Sequence, residues 1–195
     1  IFNSVIEHWD GTRWKVVSSP QFTSGSFLAG IATTSANDAW AVGSSNSFST
    51  GLTEHWDGAS WTVVSSPSTN ISLKTVTALS PANASAAGVG PSTYFPRTFI
   101  EQWNGATWDV VSSPDPTTRG NSFLDGIGAV SADNIWAVGG ATGVGVVIEH
   151  WDGTSWTILS TPSGVSGLSG ITTLTDGVVV AVGVGTNNSA VILQD

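Results

Sequence analysis

Four glutamates stand 47 or 48 residues apart in this chain, at Glu7, Glu54, Glu101 and Glu149. Three are followed directly by histidine (His8, His55 and His150), and Gln102 fills the fourth position. Two carboxylates facing one cleft could hydrolyse a glycoside, and converging imidazoles could hold a metal ion. Recurrence argues against both. A residue present in every copy of a repeat is spread through the molecule with that repeat. Glutamine, a poor metal ligand, replaces a neutral imidazole only as a hydrogen-bonding group. The expectation is a structural hydrogen-bond or surface role for the glutamates, a hydrogen-bonding role for the histidines, and neither a metal site nor a cofactor.

Other catalytic chemistry finds little support in the residues. The chain has no cysteine, so disulfides, thiolate metal sites and a cysteine nucleophile are excluded. It carries no calcium-binding Asp-x-Asp-x-Asp-Gly loop, no His-Glu-x-x-His and no phosphate-binding glycine loop. Serine is abundant without a nucleophile motif. Five Lys and Arg against fourteen Asp and Glu give a net charge of −9, which disfavours nucleic acid and anionic membrane surfaces. No apolar run approaches membrane-spanning length.

One stretch departs from the repeat in content: Tyr94, Phe95, Pro96 and Arg97. Arg119, Asp115 and Phe22, in loops expected on the same face, join it as the candidate ligand-binding group, because aromatics with arginine are what binding hot spots favour. Asp115 and Asp125 are the non-repeat acids that a glycoside hydrolase or lyase would have to use. Three Asn-x-Ser sequons, at Asn70, Asn83 and Asn187, are of the number that a Ser- and Asn-rich chain produces by chance.

The elements that must position these residues repeat with them. Each copy runs from Glu-His-Trp-Asp-Gly-x-x-Trp through a Ser/Thr-Pro step at Pro20, Pro67, Pro114 and Pro162. A Leu-x-x-Ile/Val stretch follows, at Leu28, Leu73, Leu124 and Leu168, and then Trp-Ala-Val-Gly at Trp40 and Trp136. Four copies span the 195 residues. Their apolar runs are short, rich in Val, Ile, Thr and Trp, and separated by Asp-Gly, Asn-Asp, Ser-Pro and glycine breakers, while no sustained helical period occurs. Each copy therefore reads as four β-strands: a (Leu-x-x-Ile), b (Trp-Ala-Val-Gly), c (entering Glu-His-Trp) and d (after Asp-Gly). Copy two is read with two extra residues in its a–b turn, between Ser80 and Ala87, so that Ala87 takes the place of Trp40 and Trp136. Four-stranded meanders at this period define an all-β β-propeller of antiparallel blades. Eight of the ten tryptophans fall in the c–d hairpins, where large flat side chains serve blade-to-blade packing.

A hydrophobic strand ending in Gly139-Gly140, followed by an aromatic and then by a Trp closing the next hairpin, resembles the kelch/galactose-oxidase class of propeller repeat. The resemblance covers all four copies, with Trp for the usual first aromatic and only one complete Gly pair. It implies the propeller fold. The copper chemistry of galactose oxidase needs a Cys–Tyr cross-link, and this chain has no Cys and only Tyr94.

The chain is expected to be a single propeller domain or half-propeller over residues 1–195, its N-terminal c–d strands completing the C-terminal blade. A homodimer closing an eight-bladed ring, a four-bladed monomer and a piece of a longer array are the three arrangements the repeat allows. The a–b and c–d turns share one face, and the b–c loops (44–51, 91–97, 140–146) and d–a loops (21–27, 68–72, 115–123, 163–167) share the other. Their variability makes that second face the expected site. The expected function is a non-catalytic, secreted or cell-surface binding or scaffold module taking glycan or protein, although no leader is recognisable in the sequence as it begins at Ile1. A purely structural self-assembling propeller is the alternative, and a hydrolase or lyase the weaker one.

Overall fold

A computed structural model describes residues 2–45, 50–91, 94–117, 119–174 and 176–194. Part of the 44–51 loop, Ser92 and Thr93 of the 91–97 loop, and Asp195 lie outside the described residues. Within them the chain is all β, arranged as five antiparallel sheets in chain order. A hairpin of β1 (Ile6–Trp9) and β2 (Trp14–Val17) comes first. Three four-stranded meanders follow. The first contains β3 (Ser26–Ser35), β4 (Asp38–Ser45), β5 (Thr50–Trp56) and β6 (Trp61–Val64). The second contains β7 (Ser72–Ser80), β8 (Asn83–Gly90), β9 (Arg97–Trp103) and β10 (Trp108–Val111). The third contains β11 (Ser122–Ser131), β12 (Asn134–Ala141), β13 (Gly145–Trp151) and β14 (Trp156–Ile158). A three-stranded sheet of β15 (Val165–Thr173), β16 (Val179–Gly185) and β17 (Ala190–Gln194) ends the row.

The a strands stack on one another, β3 on β7, β7 on β11 and β11 on β15. Among the described residues the row is not closed into a ring. β1–β2 sits against the first four-stranded sheet, with Ile6 and Val17 in a cluster with Ala39, Ala41 and Trp61, while β17 occupies the outer edge of β16. Among the described residues β1–β2 and β15–β17 form separate sheets.

One backbone device explains two motifs at once. On a regular strand, residues three apart face opposite ways, so Leu-x-x-Ile would waste one side chain. Each a strand instead has a bulge directly after its leucine, between Leu28 and Gly30, Leu73 and Thr75, Leu124 and Gly126, and Leu168 and Gly170. The extra residue resets the alternation. Leu124 and Ile127 enter one buried cluster together, as do Leu73 and Val76. Opposite each leucine stands the glycine that ends the b-strand motif: Gly43, Gly88, Gly139 and Gly183. A Cβ there would lie 1.9 to 2.1 Å from a carbonyl oxygen of the bulged strand. These glycines are required by close approach.

The c–d turns are equally uniform. Gly11, Gly58, Gly105 and Gly153 have φ between 92° and 96°. The preceding carboxylate or amide caps the turn: Asp152 Oδ1 accepts from the N–H groups of Thr154 and Ser155 at 2.8 and 2.9 Å, and Asn104 Oδ1 does the same for Ala106 and Thr107. The two tryptophans flanking each turn lie 5.8 or 5.9 Å apart between ring centroids.

The register corrects one expectation. Trp40 pairs with His55 and Trp136 with His150, and in the second meander the same pairing joins Ser85 to Gln102. Ser85, not Ala87, takes the tryptophan position. The a–b turn of copy two has the same length as the others, because β7 ends at Ser80 and β8 begins at Asn83, as β3 ends at Ser35 and β4 begins at Asp38.

Gly139→Ala should lower stability by about 3 kcal/mol, because Phe123 and Leu124 must move as backbone. Gly167→Ala meets nothing within 4 Å and should change stability by less than about 0.5 kcal/mol. Thermal unfolding of the two variants separates the cases, and equal losses would refute the close-approach account.

Candidate functional site

The b–c and d–a loops emerge together at one end of the sheets, and the residues that break the repeat meet there. Arg97 opens β9 and its guanidinium pairs with Asp115 and donates to the Thr117 carbonyl oxygen, both in the loop leading to β11. Asp115 Oδ1 in turn accepts from Ser122 Oγ at 2.9 Å. Ser122 is buried, its N–H donating to the Pro96 carbonyl oxygen at 2.9 Å and its hydroxyl accepting from Thr98 N–H at 3.2 Å. Two loops from successive sheets are thus locked across a shared polar seam. Tyr94, 85% exposed, and the partly exposed Phe95 precede it on the rim. Arg119 is exposed, with its N–H donating to Thr117 Oγ1 at 3.2 Å.

Phe22 belongs to a different copy of this seam. Its N–H donates to Asn3 Oδ1 at 3.0 Å, while Ser26 contacts Asn3 and Ser4. Ser26 N–H donates to the Phe2 carbonyl oxygen as Ser122 N–H does to Pro96. Sequence reasoning placed Phe22 on the correct type of loop but at an equivalent position between the first two sheets. The structure joins Arg97 and Asp115, sets Tyr94 and Phe95 beside them, and places Arg119 at the edge.

Beneath the seam lie the repeated glutamates. Glu54, Glu101 and Glu149 are completely buried and face small residues across the sheet: Ala41, Ala86 and Ala137. Ser66 Oγ donates to Glu101 at 2.7 Å and Ser113 Oγ to Glu149 at 2.8 Å. Each bond runs from the Ser-Pro step after one sheet to the c strand of the next. Both carboxyl oxygens of Glu54 have no hydrogen-bond partner among the described residues. Burial pushes all three carboxyl groups up to about 7, with Asp115 adding to the rise at Glu149 and the serine bonds opposing it. The signal available in the sequence was the serine before each proline, 35 or 36 residues ahead of the next glutamate.

Two of the three histidines serve tryptophan. His55 lies 4.5 Å from Trp40 and bonds Asp38 at 2.8 Å, and His150 lies 4.3 Å from Trp136 and contacts Asn134 at 3.0 Å. Where serine replaces tryptophan, glutamine replaces histidine. The two acids a hydrolase would need are held apart by partners, Asp115 by Arg97 and Asp125 by Lys74 at 2.6 Å. Among the described residues no three His, Asp or Glu side chains converge as a metal site.

No protein-family model matches the chain, and no curated protein matches it. Solved structures do. YCF48 bound to D1 peptide is 15% identical with a TM-score of 0.62, over 98% of this chain and 61% of that one. A fungal lectin of Aleuria aurantia, a six-bladed β-propeller with a novel fucose recognition mode, is 17% identical with a TM-score of 0.57, over 94% and 64%. Streptogramin B lyase is 13% identical with a TM-score of 0.56, over 85% and 53%. The chain thus spans between half and two thirds of the length of each of these three structures. What these likenesses define is the class: an all-β chain with a β-propeller fold.

The buried glutamates set a pH dependence. Between their ordinary value of 4.5 and about 7 the folded state holds protons that the unfolded chain has released, so stability falls as pH rises through that window. Glu101 and Glu149 each contribute on the order of 3 kcal/mol to this fall. The depressed carboxyls of Asp57 and Asp152 act oppositely, their stabilisation being lost as pH drops below 3.8. Melting temperature should peak between about pH 4 and 5. Glu149→Gln should flatten the fall toward pH 8, and an unchanged slope in that variant would count against burial as its origin.

Proposed function

We propose that this chain is a non-catalytic binding module on a kelch-like propeller scaffold, secreted or at the cell surface, which takes a protein or glycan ligand on the face carrying Tyr94 and Arg97. The observation that carries the reading is the combination at that rim. An almost fully exposed tyrosine stands three residues before an arginine whose direction is fixed by Asp115 and Thr117. An aromatic surface and a pre-oriented cation give affinity without the ordering cost of a mobile loop. Neighbours of the same fold include a propeller bound to a peptide and a fucose-recognising lectin, which agrees with ligand capture on such a scaffold. Glu54, Glu101 and Glu149 are buried inside the sheets, and the non-repeat acids Asp115 and Asp125 are each paired with a cation, which supports a binding role over hydrolysis.

A structural role without a ligand is the second reading, favoured by the use of hairpin tryptophans in sheet-to-sheet packing. Peptide and glycan arrays probed with the wild-type chain and with Tyr94→Ser distinguish the two. A ligand whose binding weakens about tenfold or more in Tyr94→Ser, with the melting temperature unchanged, supports the binding module. Absence of any retained ligand, or a ligand indifferent to both Tyr94→Ser and Arg97→Ala, rejects it.

A further inference from the structure

The seam built on Arg97 is missing one junction further along, between the third four-stranded sheet and the a–b pair β15–β16. Gly145 opens β13 where Arg97 opens β9, and Val146 follows it where Thr98 follows Arg97. The loop into β15 (163–167) is shorter than the loop that carries Asp115. Ser166, the equivalent of Ser122, gives its hydroxyl to the carbonyl oxygens of Val184 and Gly185 in its own sheet, at 3.0 and 2.9 Å. Where Arg97 and Asp115 close the preceding junction, a cleft of about 460 Å³ lies open here. Its walls are chiefly the a and b strands of two sheets that stack on each other within the chain.

The a-strand bulges bring charge to this cleft. The leucine and the facing glycine of each bulge are the same in all four a strands, but the extra residue changes: Ala29, Lys74, Asp125 and Ser169. That residue is unpaired in the ladder, so the sheet places no demand on its type. Lys74 reaches across to the next sheet, where its Nζ lies 2.6 Å from Asp125 Oδ1 and 4.7 Å from the centre of the Phe123 ring. An ion pair that is partly exposed, as this one is, contributes little to stability. Phe123 and Asp125 line the cleft together with Gly140, Thr142, Ser166 and Ser169. Gly140 makes room for the ring, since a Cβ there would lie 3.0 Å from Phe123 Cζ. Thr142, Ser166 and Ser169 are exposed.

We propose that this cleft is a second binding site and that it takes a neutral sugar ring. Charge selects for neutrality. Lys74 and Asp125 are joined to each other, so neither an anion nor a cation meets an uncompensated partner. The joined pair keeps spare lone pairs on Asp125 and spare N–H donors on Lys74, while the hydroxyls of Thr142, Ser166 and Ser169 can accept as well as donate. A purely apolar ligand would meet one aromatic ring and strip water from polar groups that it could not satisfy. A sugar ring answers both parts, with a C–H face for Phe123 and hydroxyls for Asp125, Lys74 and Ser169. The volume falls within the range of roughly 300–1,000 Å³ typical of small-ligand sites. With one aromatic wall and an open mouth, the cleft binds a single ring in the millimolar range. The site lies at a different junction from the rim at Tyr94 and stands whether or not that rim takes a ligand.

Saturation-transfer difference NMR on the whole chain tests the site. The neutral probes are the methyl glycosides of glucose, galactose, mannose, fucose and N-acetylglucosamine, and the charged ones are glucuronic acid and glucosamine. At least one neutral probe should bind, saturated through its C–H face, and no more weakly than either charged probe. Asp125→Asn keeps the shape of the side chain and should raise that dissociation constant about tenfold. Phe123→Leu should do the same through loss of the ring, with thermal unfolding of both variants verifying that they are folded. Tyr94→Ser should leave the constant unchanged. Failure of every neutral probe to bind overturns the proposal, and so does tighter binding of glucuronic acid or glucosamine. A sugar that binds equally well to Asp125→Asn or to Phe123→Leu overturns it too. If Tyr94→Ser alone weakens that sugar, its place is the rim and not the cleft.

Discussion

The bulge behind each a-strand leucine is the constraint on which the rest of the structure depends. A sheet in a propeller must bury both faces against neighbours, so its inner strand needs apolar groups aimed consistently along a short length. The bulge turns Leu and the Ile or Val three residues later to one face, and this brings a carbonyl so close to the b strand that only glycine fits. The strand that tolerates this contact also carries the alanines that leave room for the glutamates. Bulge, glycine, alanine and glutamate form one mechanical unit, copied from sheet to sheet.

That unit also explains how a chain with so few charges can bury carboxyl groups. A charged glutamate in such a place would be strongly destabilised, and a protonated one needs only its hydrogen bonds satisfied. Ser66 and Ser113 supply one such bond each and, in doing so, tie consecutive sheets together. The glutamates are joints between sheets that carry a pH-dependent cost. Above them, the seam of Arg97, Asp115 and Ser122 uses the same route between sheets but ends at the surface, where Tyr94 and Phe95 stand. Scaffold and candidate binding rim are built from adjacent layers of one junction.

Tryptophan illustrates why repeat residues are poor guides to a ligand site and good guides to packing. Trp108 sits among Trp40, Val42 and Ala84, and Trp156 among Ala87, Ile100 and Ala137, each hairpin filling the face of the sheet before it. The first tryptophans of three hairpins, Trp56, Trp103 and Trp151, donate their ring N–H to carbonyl oxygens of Ala36, Pro81 and Ala132 in the a–b turns. Trp108 and Trp156 are thus buried in the scaffold, and the ring N–H groups of Trp56, Trp103 and Trp151 are taken up by it.

The repeat period, the strand order and the turn chemistry were determined by the amino-acid sequence alone. Asp-Gly and Asn-Gly specify a positive-φ turn locally, and four-residue runs of Trp and Val specify short strands, whatever surrounds them. The structural roles of histidine and glutamate were legible because recurrence rules out convergence. What the sequence could not decide were the matters set by one sheet against another. Ser85 rather than Ala87 pairs with Gln102, since cross-strand register depends on hydrogen bonding and not on likeness of side chains. Glu101 and Glu149 are fully buried and reach serines 35 and 36 residues away, a contact that exists only once two sheets are stacked. Phe22 and Arg97 share a type of loop yet lie at different junctions, because equivalence in a repeat is not proximity in space. Local conformation is written in neighbouring residues, whereas burial, register and the joining of sheets arise from contacts that the chain makes only after the strands have been brought together.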